Sequence, residues 1–352
     1  MYASFADWFL LEAFASGPKA HPSKSIVESK QDKYPSIFLS GTDIDLPPTF
    51  VNDFSKYTFL SELSGGGHGV LQLFRDNCLG RSVAIKKLKS NSEKDAPERR
   101  RLLREARITA QLGHPNTVPV YELGNDSEGN LYFAMKKIEG EDLFKILTRI
   151  ARKDEETASE YHIDTILDIL LQAGNAVAYA HAHGVIHRDL KPENIMVGMY
   201  GAVYVMDWGI AKVWGMPVES YIEDFSSRSE FYQRLTVTGQ RPGTPLYMSP
   251  EQVVNGHIDE RSDVFSMGVV LYESLALREP FRGRNIDETF RNILNEEPPP
   301  PSTVAKHQVI PKQFDDICAK AFSKKPSDRY QSMNEFLRAI RQIRVEALSQ
   351  KF

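Results

Sequence analysis

The chain has 352 residues, with 43 Lys or Arg against 47 Asp or Glu and a formal charge of −4. That length suffices for two lobes around a buried core, and the near balance of charge excludes a global attraction to nucleic acid or to an anionic membrane surface. The two cysteines, Cys78 and Cys318, match no metal or redox spacing, so they read as free thiols in a reducing compartment.

The N-terminus opens on an apolar patch, "SFADWFLLEAFA", interrupted by Asp7 and Glu12. It is too short to span a bilayer and lacks the preceding basic residues of a signal peptide. An amphipathic helix is expected there, docked on the body or on a partner. Residues 17–55 are rich in Pro, Ser, Lys and Asp and read as a linker. From Tyr57 short β-prone runs follow, "YTFLSELS", "GVLQLF", "RSVAIKKL", "TVPVYELG" and "NLYFAMKKI", separated by polar turns. One helix interrupts them, "APERRRLLREARITAQLG", closing at Gly113. Beyond Gly140 the pattern turns helical: 162–184 carries apolar residues at three- and four-residue spacing, and further helices are expected over 260–277, 285–296, 312–321 and 333–348. "ARKDEETASE" at 151–160 reads as a solvated charge cluster and "EEPPPPS" at 296–302 as a connector. The division expected is an extension over 1–55, a sheet-based unit over 56–138 and a helical unit over 139–348. No segment approaches transmembrane length.

"LSGGGHGVL", Leu63 to Leu71, has the composition of a phosphate-cradling loop, although Ser64 stands where a G-x-G-x-x-G pattern has its first glycine. Four glycines in five positions are equally an ordinary turn. The segment "HRDLKPENIMVGMYGAVYVMDWG" at 187–209 decides between the readings, because His187-Arg188-Asp189, Lys191, Asn194 and Asp207-Trp208-Gly209 occur in order. This constellation resembles the catalytic loop and metal-binding motif of the protein kinase superfamily. "VAIK" at 83–86 and "GTPLYMSPE" at 243–251 extend the resemblance, which covers Tyr57 to Val345. Trp208 in place of the usual Phe, together with "YMSPEQ", resembles the bacterial, eukaryotic-like serine/threonine kinases.

The resemblance implies an α+β, bilobal protein-kinase fold, with a small antiparallel-sheet N-lobe bearing one main helix and a larger, mainly helical C-lobe. It implies ATP and Mg²⁺ as cofactors and phosphoryl transfer to protein Ser/Thr hydroxyls. Such a reaction asks the protein for positioning and charge neutralisation. Asp189 would take the proton of the attacking hydroxyl, Lys191 would reach the transferring phosphate, and Asn194 and Asp207 would offer oxygens to the metal. Lys86 would grip the nucleotide phosphates with Glu105 as its partner; the plainer alternative makes Glu105 a surface residue paired with Arg101. Leu63, Ser64, Gly65, Gly66, Gly67, His68, Gly69 and Leu71 would line the phosphates and the ring. A Cβ at Ser64 costs little where φ is negative, so the loop reads as altered but competent. Adenine would lie between Leu71 and Ala84 above and Met196 below, with Met135 limiting depth and Lys136 to Ile138 offering backbone bonds. Lys136 and Lys137 depart from the acidic residue common in related kinases.

Four residues outside the chemistry are also implied. Glu251 would pair with Arg329, and Asp263 would cap the catalytic loop. Thr244 would bond to Asp189 and Lys191. Arg188 would await an anion, furnished by phosphorylation of Thr236 or Thr238 in the activation segment. Protein substrates and self-association for trans-autophosphorylation are the partners implied. No nucleic acid, no membrane segment in this chain and a cytoplasmic location complete the expectation. A pseudokinase scaffold, motivated by Ser64 and the two lysines, and a small-molecule kinase stay open as alternatives. The "GTPLYMSPEQ" segment speaks against the latter.

Overall fold

The computed structural model describes residues 54–66, 69–88, 96–213, 244–305 and 308–349. The apolar N-terminal patch, most of the linker, Gly67, His68, Thr236 and Thr238 lie outside the described residues. The first lobe is a five-stranded sheet in the order β1-β2-β3-β5-β4, built from β1 (Tyr57–Gly66), β2 (Gly69–Asp76), β3 (Arg81–Lys87), β4 (Val120–Asn125) and β5 (Leu131–Lys136). All neighbouring pairs are antiparallel. Among the described residues of this lobe the one α-helix, α1 (Ala96–Gln111), enters between β3 and β4.

Alternation along β3 explains the two-sided packing. Val83 and Ile85 join Tyr57, Phe74, Tyr132 and Ala134 on one face. Ala84 points to the other face, where Leu102, Leu103 and Ala106 of α1 meet Phe133 and Met135. The helix thereby lies against the sheet face that also turns towards the second lobe.

That second lobe is mainly helical. It comprises α2 (Leu143–Ala151), α3 (Glu155–Glu160), α4 (Ile163–Ala182), α5 (Pro250–Val253), α6 (Glu260–Ala276), α7 (Ile286–Asn295), α8 (Pro301–Val304), α9 (Gln313–Ala321) and α10 (Met333–Ser349). Every residue of α6 from Ser262 to Ala276 is buried, as for a helix at the centre of a bundle rather than on its surface. Helices α4, α9 and α10 contribute to the same core. Among the described residues no helix is long and apolar enough to cross a membrane.

Two parts of the sequence reading are corrected here. The stretch 151–160 is a solvated cluster only in part, because α3 forms within it. Asp154 caps this helix by accepting from the Thr157 amide at 2.9 Å, and Thr157 is buried with its hydroxyl taking the Arg149 Nε at 3.0 Å. The second lobe also contains short strands: β6 (Gly140–Asp142), β8 (Ile195–Gly198) and β9 (Val203–Val205) in one sheet, β7 (Val185–Ile186) and β10 (Lys212–Val213) in another. Pairing across sequence-distant positions makes these strands, and pieces of two to four residues carry no periodicity of their own. The 296–302 connector holds, pinned where the Tyr272 hydroxyl donates to the Pro299 carbonyl at 2.9 Å, and runs on into α8.

One buried ion pair ties α5 to the start of the last helices. Arg329 Nη1 and Nη2 each lie 2.8 Å from a Glu251 carboxylate oxygen, and Arg329 also donates to the carbonyls of Ser323, Lys324 and Arg261. Burial pushes the Glu251 pKa up, but the Arg329 hydrogen bonds and charge outweigh it and hold the carboxyl below its ordinary value. Removing one partner of such a pair strands the other, so Glu251→Gln is expected to lose about 3–5 kcal/mol of stability in urea titrations at neutral pH. With its folded pKa depressed, the Glu251 contribution is present above the unfolded carboxylate pKa of about 4.3 and fades as pH falls through the lower folded value. The difference between wild type and variant should therefore shrink on acidification.

Candidate active site

The glycine loop joins β1 to β2. Gly66 faces Gly69, Gly65 faces Val70 and Ser64 faces Leu71, so Ser64 sits in extended backbone where a Cβ is tolerated. Gly69 is needed for another reason: a Cβ there would stand 2.9 Å from the Lys87 carbonyl oxygen of β3. Leu63 is exposed, whereas Leu71 packs with Ala84, Met135, Ile138 and Met196 in one apolar cluster. The residues named from the sequence for the adenine surfaces are thus brought together, those of the sheet above and Met196 of β8 below. At the strand end that follows Met135, the Lys136 amide is already bonded to the Pro119 carbonyl at 2.9 Å. The Lys136 ammonium lies 2.6 Å from the Tyr204 hydroxyl, and Lys137 pairs with Glu139 at 3.1 Å.

Lys86 projects from β3, and its Nζ lies 2.6 and 2.7 Å from the two oxygens of Glu105 on α1. The surface alternative for Glu105 is therefore removed, since that residue is buried. Burial works against the Lys86 charge, yet Glu105 and Asp207 outweigh it and raise the ammonium pKa. Arg101, the partner in that alternative, also approaches Asp207, with Nη2 4.0 Å from Oδ2.

The loop after β7 is organised from below. Asp263 of α6, fully buried, accepts the amides of His187 at 2.8 Å and Arg188 at 2.9 Å. His181 Nε2 lies 2.7 Å from the same carboxylate. Burial would raise the Asp263 pKa, but the His181 hydrogen bond and charge outweigh it. These bonds hold Arg188 at φ 70°, in the left-handed region unusual for a residue with a Cβ. Gln252 of α5 donates to the Arg188 carbonyl at 2.8 Å, a contact without a sequence signal beyond the Ser249 capping box it belongs to.

Asp189 then emerges between two cation-bearing or amide groups. Lys191 Nζ lies 2.8 Å from Asp189 Oδ2. Asn194 Nδ2 donates to the Asp189 carbonyl at 2.8 Å and to Oδ2 at 3.2 Å. Burial opposes the charge of Lys191, and Asp189 outweighs that to raise its pKa. His187 links this loop to the next: the Asp189 amide donates to Nδ1 at 3.2 Å, so Nε2 carries the proton donated to the Met206 carbonyl at 2.9 Å. Its ring also lies 4.5 Å from the buried Trp208 ring. Sequence reading gave His187 no such part.

Asp207 follows Met206 with φ 57°, and its Oδ1 accepts the Gly209 amide at 3.3 Å. Burial would raise its pKa, but Lys86, Arg101 and Lys191 outweigh it and hold the carboxyl well below the usual carboxylate range. Among the described residues no group of three or more His, Cys, Asp or Glu could cage a metal. The Asp207 carboxylate and the Asn194 amide are hard oxygen donors, and a pair of this kind suits Mg²⁺, which keeps waters and takes substrate phosphates alongside one or two protein ligands. The side chain of Thr244 lies outside the described residues, as do Gly67, His68, Thr236 and Thr238.

Comparison with known proteins agrees with this geometry. The model of the protein kinase domain matches residues 57–339. The chain is 35% identical over 289 residues to the serine/threonine-protein kinase PknD of Protochlamydia amoebophila, covering 81% of this chain and 29% of that protein. It is 33% identical over 298 residues to PknD of Chlamydia trachomatis serovar L2b, with 81% and 31% covered, and 32% identical over 286 residues to PknD of Chlamydia pneumoniae, with 80% and 30% covered. The alignments thus span less than a third of these relatives' own length. On the strength of the domain match and of the site it encloses, the chain belongs to the protein kinase family.

Proposed function

We propose that this chain is a serine/threonine protein kinase that uses ATP and Mg²⁺ and phosphorylates its own activation segment. The observation that carries the reading is the assembled charge array: Lys86 bonded to Glu105 at 2.6 Å, and Lys191 bonded to Asp189 at 2.8 Å. Asp207 feels both cations. The relatives are named serine/threonine-protein kinases, a class that the lysine two residues after Asp189 also favours.

In this reading Lys86 binds the nucleotide phosphates, and Glu105 keeps its ammonium aimed and charged. Leu71, Ala84, Met135 and Met196 enclose the adenine, and the backbone from Lys136 to Ile138 meets its edge. The glycine loop brings backbone amides of 65–69 to the phosphates. Asp207 and Asn194 would hold Mg²⁺, which would supply neutralisation of phosphate charge. Asp189 orients the acceptor hydroxyl and takes its proton as the oxygen bonds to the γ-phosphorus and the bond to ADP breaks. Lys191 offsets negative charge on the phosphoryl group in flight.

Autophosphorylation is supported by two cations close to one another in the second lobe, Arg188 and Lys212. Arg188 Nη1 donates to the Ile210 carbonyl at 3.2 Å, and Lys212 Nζ donates to the Ile258 carbonyl at 3.1 Å. Burial and the Arg188 charge push the Lys212 pKa down. A phosphate on Thr236 or Thr238 would carry about two negative charges, and bonded to these cations it would relieve that repulsion.

Two outcomes check the proposal. Asp189→Asn should lower kcat by about 10²–10⁴-fold with nucleotide affinity little changed, while Asp207→Asn should abolish Mg²⁺-dependent ATP binding. Unchanged turnover in either variant would defeat its assignment, and ATP binding without turnover in the wild type would make the chain a scaffold. For the switch, phosphosite mapping after incubation with ATP should find Thr236 or Thr238. The Thr236→Ala/Thr238→Ala variant should lose roughly tenfold or more in kcat/KM, about 1.4 kcal/mol. Full activity with no phosphate on the segment would contradict it.

A further inference from the structure

Arg101 lies four residues before Glu105 on α1, so the two side chains share one face of the helix. Glu105 takes the Lys86 ammonium from that face. Arg101 reaches the neighbouring turn, Asp207-Trp208-Gly209, and does so in two ways. Its Nη2 lies 4.0 Å from Asp207 Oδ2. Its stem packs against Gly209, where a Cβ would stand 3.1 Å from Arg101 Nε and 3.2 Å from Arg101 Cγ. One contact is charge and the other is space, and both point at the same turn.

We infer that Arg101 is a positioning residue that acts as the resident counter-cation of Asp207 and competes with the divalent ion for that carboxylate. The inference rests on the reading of Asp207 as a metal ligand. A guanidinium beside the carboxylate keeps it ionised and aimed while no ion is bound, and it repels an arriving cation. With its side chain 34% exposed, Arg101 has solvent to swing into once displaced. Lys86 and Lys191 also act on Asp207, but from β3 and from the catalytic loop, so removing Arg101 leaves them in place. Because Arg101 and Glu105 ride on one rigid helix, the seating of α1 sets both the grip on Lys86 and the competition at Asp207. The absence of a side chain at Gly209 leaves room for the Arg101 stem beside the turn.

The test is calorimetric titration of Mg²⁺ into the full chain in the presence of a non-hydrolysable ATP analogue. Wild type, Arg101→Met and Arg101→Lys are compared. Methionine keeps an unbranched stem against Gly209 and removes the charge; lysine keeps both. The Mg²⁺ midpoint is expected to fall roughly 3- to 10-fold in Arg101→Met, a value discounted for a partly exposed cation at this distance. It should return to within about twofold of wild type in Arg101→Lys, and the gap should narrow as salt is added. Equal midpoints in wild type and Arg101→Met overturn the inference, and so does a lysine variant that behaves like methionine. In both cases Mg²⁺-dependent binding persists and the reading of the site as a kinase centre stands. If the wild type binds the analogue with no dependence on Mg²⁺, Asp207 is no metal ligand, and that reading and this inference fall together.

Discussion

A carboxylate withdrawn from water holds the active centre together. Asp263 has no exposed surface, and its desolvation is offset by the amides of His187 and Arg188 and by His181. Those bonds fix the turn in which Arg188 takes a left-handed conformation, and this turn aims Asp189 at the cleft. Through His187 the same turn is tied to the Met206 carbonyl, one residue before Asp207. One buried side chain of α6 therefore positions the groups read as base and as metal ligand. It does so from the most deeply packed helix of the second lobe, where movement would disturb the whole core.

The first lobe enters this arrangement through charge. Lys86 lies on a strand packed on both faces, Glu105 on the helix that leans against one of them, and Asp207 across the cleft on the second lobe. No single element could concentrate these charges at such burial without a penalty. Distributed over β3, α1 and the turn after β9, each cation offsets an anion from a different part of the chain. The array is then ready for a ligand that brings further negative charge together with its own counter-ion.

Much of this was legible in the residues. The strands of the first lobe read correctly because Val83-Ala84-Ile85 alternates between two apolar faces, and Asp189, Lys191 and Asn194 were picked out together because they stand at fixed short offsets, within which the structure bonds them to one another. Helix α2 carried its own signal, an Asp142 cap before Leu143, Ile146 and Leu147, within a region read only as broadly helical. What could not be read depends on distant partners. Strands β7 and β10 pair across 26 positions (Ile186 with Lys212), Gln252 reaches the Arg188 carbonyl from α5, and Arg101 approaches Asp207 of the other lobe. Ser64 is explained by pairing: opposite Leu71 in extended backbone, it needs no glycine, whereas Gly69 does.

The central claim is that these charges transfer a phosphoryl group to protein hydroxyls. The most direct measurement incubates the purified chain with Mg²⁺, γ-labelled ATP and a generic protein substrate, followed by phosphoamino-acid analysis of the labelled protein. The account predicts label on phosphoserine and phosphothreonine, lost in Lys86→Met and lost when Mg²⁺ is chelated. Label confined to phosphotyrosine, or no label from a chain that binds the nucleotide, would contradict it.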